Sequence, residues 1–171
     1  MTIRPATICD AKGIAEVHVH SWQAAYRQLL PDDFLAALSV EKREVMWGKL
    51  LAGGKPSLLV AESAGKLVGF SAFGPCRDEG AESADYELEA IYVAPPHWSS
   101  GVGRELWLSS LDALLAVGAK SISLWVLAGN ERAIRFYQAA GFHIDHGMAT
   151  KVSSLGGVQV HEVRYIQRHG G

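Results

Sequence analysis

Apolar positions divide the chain into a helical first third, a strand-rich middle and a mixed last third. From Ala11 to about Leu30, the residues Ile14, Val17, Trp22, Ala25, Tyr26 and Leu29 recur at approximately helical spacing, and Pro31 stops the run. A short strand, Thr2 to Ala6, precedes this helix, and Asp10 stands where an N-cap should. Phe34 to Leu38 and Glu41 to Leu51 read as two more helical pieces divided near Ser39, with Gly53-Gly54 as terminator. At Pro56 the pattern changes. Ser57 to Glu62 and Leu67 to Phe73 alternate as strands around a turn at Ser63 to Lys66, and Gly74-Pro75 closes the pair. Cys76 to Ser83 is a polar, acidic loop expected to be exposed and mobile.

The stretch Tyr86 to Leu106, YELEAIYVAPPHWSSGVGREL, organises the second half of the chain. It reads as a strand, a Pro-Pro break, a polar loop with Gly101 and Gly103, and the start of a helix running to Val117. Leu106, Trp107, Leu111, Leu114 and Leu115 mark that helix's apolar stripe, and Gly118 ends it. Lys120 to Leu127 is a strand whose second half is apolar on both faces, as a central strand requires. Asn130 to Ala140 forms a short helix before Gly141. Phe142 to Val152 and Val158 to Gln167 read as a closing hairpin around Leu155-Gly156-Gly157. This order predicts an α/β fold: a mixed sheet of about six to seven strands with helices on both faces.

Composition narrows the function. A chain of 171 residues, 49% hydrophobic and 20% charged, suits one soluble domain spanning residues 1–171. A net charge of −2 argues against a nucleic-acid surface and against a polybasic membrane contact, so any anion site must be local. The longest apolar runs, Leu58 to Ala61 and Leu124 to Ala128, fall far short of a membrane span. Cys9 and Cys76 form no metal-type spacing, and without a secretion signal they are expected to be reduced thiols of a cytoplasmic protein. His18 and His20 do not share a helical face, which leaves no metal site there.

A strand that empties through a glycine loop into a helix can bind phosphate, because free N–H groups and the helix dipole converge there. A tight turn that needs glycine for backbone reasons explains the loop equally well. Gly101-Val102-Gly103 lacks the third glycine of a dinucleotide fingerprint and the lysine of a P-loop. Asn130 and Tyr137, seven residues apart, lie on one helical face about 10 Å apart along the axis, an amide and a phenol suited to an extended ligand. A capping Asn130 and an edge Tyr137 are the plainer alternatives. Glu87 and Glu89 alternate onto one strand face about 7 Å apart, where shared burial would raise a carboxyl pKa toward that of a base.

Together, IYVAPPHWSSGVGREL and NERAIRFYQAAGF resemble the acetyl-CoA loop and the Asn-x-x-Ala-x-x-Phe-Tyr-x-x-x-Gly-Phe segment of the Gcn5-related N-acetyltransferase (GNAT) family. The N-terminal IRPA strand and the hairpin fit too, so the resemblance spans essentially the whole chain and implies that family's splayed sheet. It implies acetyl-CoA as co-substrate, no metal, and a primary amine of a small molecule or peptide as acceptor. The backbone of Ile91, Tyr92 and Val93 would pair with the pantetheine arm and hold the oxyanion. Trp98, Ser99, Ser100, Gly101, Val102 and Gly103, with Arg104 behind, would hold the pyrophosphate. Asn130 would hydrogen-bond the pantetheine and Tyr137 would protonate the departing thiolate. Glu87 matches the family's base by position, with Glu89 as substrate contact or substitute. Trp22 and Tyr26 fall in the acceptor-pocket region, with a core pair as the alternative.

The loop departs from the family pattern: Trp98 replaces the usual Arg or Gln, and the next glycine and basic positions are Ser99 and Ser100. A cation is missing, which puts more weight on Arg104 and suggests a packing role for Trp98. The alternatives this opens are an acyl-CoA-binding sensor without catalysis and a transferase for a longer acyl group. The closing hairpin could support a homodimer; nothing demands one.

Overall fold

The computed structural model describes residues 1–148 and 150–170. Strand β1 (Thr2–Pro5) leads into a 3₁₀ turn and three helices, α1 (Ala11–Ala25), α2 (Asp32–Ala36) and α3 (Val40–Gly53). Next come β2 (Ser57–Ser63), β3 (Lys66–Pro75), β4 (Asp85–Val93), α4 (Val102–Ala116), β5 (Ser121–Leu127) and α5 (Glu131–Ala139). The chain closes with β6 (His143–Ile144), β7 (Thr150–Leu155) and β8 (Val158–Arg168). The sheet order is β1-β2-β3-β4-β5-β8-β6, with β7 also on β8. Every pairing is antiparallel except β4 with β5.

Alternation along the strands sends apolar side chains to two helical layers. On one face, Val60, Phe70 and Ala72 meet Ile14, Ala15 and Val17 of α1 and Trp47 of α3. On the other, Leu88, Ile122 and Leu124 meet Trp107 and Leu114 of α4, with Ala133 and Phe136 of α5 packed against them. Phe70 is fully buried, and burial of such a side chain stabilises by roughly 1.5–3 kcal/mol. Leu115, assigned to the buried stripe of α4, instead lies on its outer side and is exposed.

Two local expectations change. Asp10 does not cap α1; its carboxylate accepts from both terminal nitrogens of Arg4, at 2.9 Å each, and from the Thr7 N–H at 2.7 Å. The predicted strand from Phe142 to Val152 breaks into β6 and β7, because the Asp145 carboxylate accepts from the Gly147 N–H and forms a turn. Both pieces then share one edge of β8, which raises the strand count to eight. Ala149, within that predicted strand, lies outside the described residues.

Candidate active site

The site is a wedge opened in the sheet. β4 and β5 pair only over Asp85–Glu87 and Ser121–Ser123, and beyond Glu87 they separate while β5 stays on β8 as far as Leu127. A bulge in the β3–β4 ladder contributes: Phe73 pairs Leu88 and Ala72 pairs Ala90, which leaves Glu89 as the extra residue. A bulge bends its strand and turns consecutive side chains to one side. Here Ala90 and Tyr92 pack toward α1, while Ile91 and Val93 pack toward α4. Ala94 N–H donates to Val68 C=O, so by strand alternation the Tyr92 backbone groups face β3 and those of Ile91 and Val93 face the open edge. Within Ile91–Val93, the first and last residues therefore present backbone groups to the open edge while the Tyr92 backbone is engaged with β3. Tyr92 contributes its side chain, and Val93 C=O is already taken by the Trp98 indole N–H at 2.7 Å.

A cavity of about 580 Å³ follows this edge. Its lining includes Glu89, Ile91, Val93, Trp98, Ser99, Gly101, Gly103, Arg104, Asn130 and Tyr137. Gly101 caps α4 at φ +92°, a conformation that favours glycine, and Gly103 admits Phe136 of α5, whose Cε2 would stand 3.3 Å from any Cβ there. Both turn glycines therefore have backbone or packing duties as well as lining the cavity. Ser100 does not line it; its hydroxyl donates to His97 C=O. Val102 points into the core against Val68 and Leu106, which leaves only its backbone to the loop.

Asn130 caps α5, its side-chain oxygen accepting from the Ala133 N–H at 3.4 Å. Tyr137 packs edge-on against Phe136 and Phe142, and burial raises its pKa well above the ordinary phenol value, with Tyr92 nearby adding to the rise. Its phenol keeps its proton across the neutral range. Arg132 and Arg135, which the sequence does not single out, also line the cavity, and the Arg132 guanidinium lies 3.7 Å from the Trp98 ring centroid. Arg132 follows Asn130 by two positions, but only the folded chain brings it to a loop more than thirty residues earlier.

A second, smaller cavity on the α1 side is lined by Trp22, Tyr26, Tyr92 and Trp125 with Arg77, Glu87, Glu89, Lys151 and Glu162. Trp22 and Tyr26 stack edge to face at 5.1 Å, so they are a packed pair and pocket wall at once. The Trp22 indole nitrogen is buried without a hydrogen-bond partner among the described residues. The two glutamates differ sharply. Glu87, 4% exposed, accepts from Arg77 Nη2 at 2.8 Å, from its Nε at 3.0 Å and from its backbone N–H. Glu89 stands 3.5 Å from Arg77 and lines both cavities. Desolvation raises its carboxyl pKa; the Arg77 charge opposes that rise and the Glu87 charge adds to it.

The loop after β3 is anchored at Cys76 to Asp78, while Glu79 to Ser83 are exposed as expected. Asp78 accepts from Trp125 Nε1 at 3.1 Å and from Arg164 Nε at 2.9 Å, and Arg164 also pairs with Asp145. Arg77 and Trp125 are thereby held as walls of the smaller cavity. No group of three or more metal-ligating side chains occurs among the described residues.

The sheet thus splays between two cavities, one along the open edge of β4 and the other polar and aromatic on the α1 side. The profile of the Acetyltransferase (GNAT) family matches residues 19–142, and the chain belongs to that family. It is similar to N-acetyltransferase YuaI of Bacillus subtilis, 34% identical over 95% of this chain and 90% of that protein. It is also similar to the L-amino acid N-acyltransferase MnaT of Escherichia coli, 26% identical over 83% and 79% of the two chains. Among solved structures, yncA from Salmonella typhimurium with its cofactor acetyl-CoA superposes with a TM-score of 0.74 at 23% identity, covering 100% of this chain and 96% of that one. The protein is an N-acetyltransferase.

Proposed function

We propose that the protein moves the acetyl group of acetyl-CoA to the primary amine of a small molecule, with both substrates bound together in the wedge between β4 and β5. The observation that carries this reading is Glu89, the one candidate base that lines both cavities. The sequence favours Glu87 as base by position. Both oxygens of Glu87 are engaged by Arg77, and Glu87 lines only the smaller cavity, so we assign that role to Glu89 and a positioning role to Glu87. Glu89 takes a proton from the incoming ammonium group. The freed amine then forms its bond to the thioester carbonyl carbon, and the N–H groups on the open edge of β4 receive the negative charge on oxygen. As the carbon–sulfur bond breaks, Tyr137 gives its phenolic proton to the departing sulfur and is reprotonated by the second proton that the nitrogen sheds on becoming an amide. The products are an amide and a free thiol, with the ammonium proton left on Glu89.

The acceptor pocket offers aromatic faces beside Glu89 and Glu162, and cations at Arg77 and Lys151. That mixture suits a compact amine carrying both an apolar and a charged group. The amino-acid specificity in MnaT's name makes amino acids the first acceptors to test. Free-thiol release from acetyl-CoA, measured against amino acids, polyamines, aminoglycosides and peptide N-termini, tests the reading. Turnover with at least one acceptor is expected, and coenzyme A binding without turnover on any of them would overturn it. Tyr137→Phe should lower kcat by about 100-fold with a smaller change in acetyl-CoA KM, and an unchanged kcat would remove Tyr137 from the chemistry.

A further inference from the structure

The donor groove has a cationic end that the loop sequence does not foreshadow. Trp98, Ser99 and Ser100 bring no positive charge, and Arg104 lies 3.7 Å from Glu105, which partly neutralises it. Arg132 and Arg135 line the same cavity, and no carboxylate lies within ion-pair distance of either among the described residues. Their charges oppose each other, and partial desolvation together with Arg135 lowers the Arg132 pKa. Two guanidinium groups that repel each other in a groove, without a counterion, are complementary to an incoming anion of more than one charge.

Trp98 explains why Arg132 stays there. Its indole N–H is anchored on Val93 C=O at 2.7 Å, and its ring face carries the guanidinium 3.7 Å from the centroid. A cation over an indole face is attracted by the ring quadrupole and keeps its in-plane N–H donors free. The end of β4, the loop and the first turn of α5 are thus linked through one side chain. We propose that Arg132, presented on the Trp98 ring, is a phosphate ligand of this enzyme and replaces from α5 the cation absent from the loop. The proposal rests on acetyl-CoA being the donor, and the ligand chemistry is a phosphate ester or anhydride at the nucleotide end of that donor.

Arg132→Gln, with isothermal titration of coenzyme A as the primary readout, tests this independently of turnover. The variant is expected to bind coenzyme A on the order of tenfold more weakly and with less dependence on salt. Its preference in kcat/KM for acetyl-CoA over S-acetylpantetheine, which has no phosphate, should fall by a similar factor. Titration with 3′-dephospho-CoA then separates the two sources. A weakening that persists assigns Arg132 to the pyrophosphate, and one that disappears assigns it to the 3′-phosphate. Wild-type affinity in the variant overturns the proposal, as does an equal loss of kcat/KM on acetyl-CoA and S-acetylpantetheine. Wild-type protein that binds no coenzyme A would instead refute the donor reading.

Discussion

At the scale of single residues, the proposed chemistry turns on which of two neighbouring carboxylates reaches both cavities. Glu87 is saturated by Arg77, whereas Glu89 is desolvated and reaches both cavities. A base must be ionised to act, so activity should fall as pH drops through the Glu89 pKa, and that limb should lie above the ordinary glutamate range. Glu89→Gln should lower kcat/KM by about 100-fold. Glu87→Gln should leave substantial activity and move the acidic limb to lower pH, because it removes the Glu87 charge that raises the Glu89 pKa and leaves the Arg77 charge that lowers it. A pH–rate profile of both variants checks this, and loss of activity in Glu87→Gln alone would return the base role to Glu87. His18 presents a second titration. Buried, with Nδ1 accepting from Trp47 at 3.0 Å, it has a pKa lowered to about 4 by burial, with Arg43 adding to the effect. The unfolded chain therefore takes up this proton first, and the stability linked to His18 is lost as pH falls from about 6.5 toward 4. His18→Gln keeps an acceptor for Trp47, and its unfolding free energy should fall less than wild type's between pH 7 and 4.5, by roughly 2–3 kcal/mol in urea titrations.

Elements create the wedge that those residues occupy. Polar alternation in YELEAIYV identifies β4 and puts Glu87 and Glu89 on one side, but it does not reveal the bulge, which depends on how Phe73 and Ala72 register against the partner strand. Helix ends were more legible. Ser39 caps α3 and accepts from the Lys42 N–H at 3.2 Å, and Gly54 ends the same helix at φ +70°. The β7–β8 turn shows why a glycine pair alone says too little. Gly156 has φ +58°, and a Cβ on it would stand 2.5 Å from Phe34 Cγ, so the hairpin tip is seated on α2. That contact holds Leu155, which lines the smaller cavity, the proposed acceptor pocket. Gly156→Ala should strain the turn by about 1–2 kcal/mol and push the tip off Phe34. Steady-state kinetics should show the acceptor KM rising severalfold with little change in acetyl-CoA KM.

Over the whole molecule, a polar cluster spanning distant parts of the chain holds the walls of the smaller cavity together. Asp78 from the loop after β3, Asp145 from the turn after β6 and Arg164 from β8 meet beneath Trp125. Burial pushes the Asp78 carboxyl up, but hydrogen bonds from Arg164 and Trp125 outweigh it and leave the carboxyl below its usual range. Arg164→Met would leave two largely buried carboxylates without their cation and should destabilise the fold by about 3 kcal/mol, measured by chemical denaturation. Acceptor affinity should fall with it, since Arg77 and Trp125 depend on the same loop. The sequence by itself determined the α/β class, most of the helices and strands, the glycine turn into α4 and the helix that follows Asn130, because these rest on local periodicity, caps and short motifs. Only the tertiary structure decided the rest: which glutamate is free, that the acidic loop is anchored, and that Arg132 lies on Trp98. Each of these depends on pairing between segments far apart in the chain, and local hydrophobic pattern carries no record of it.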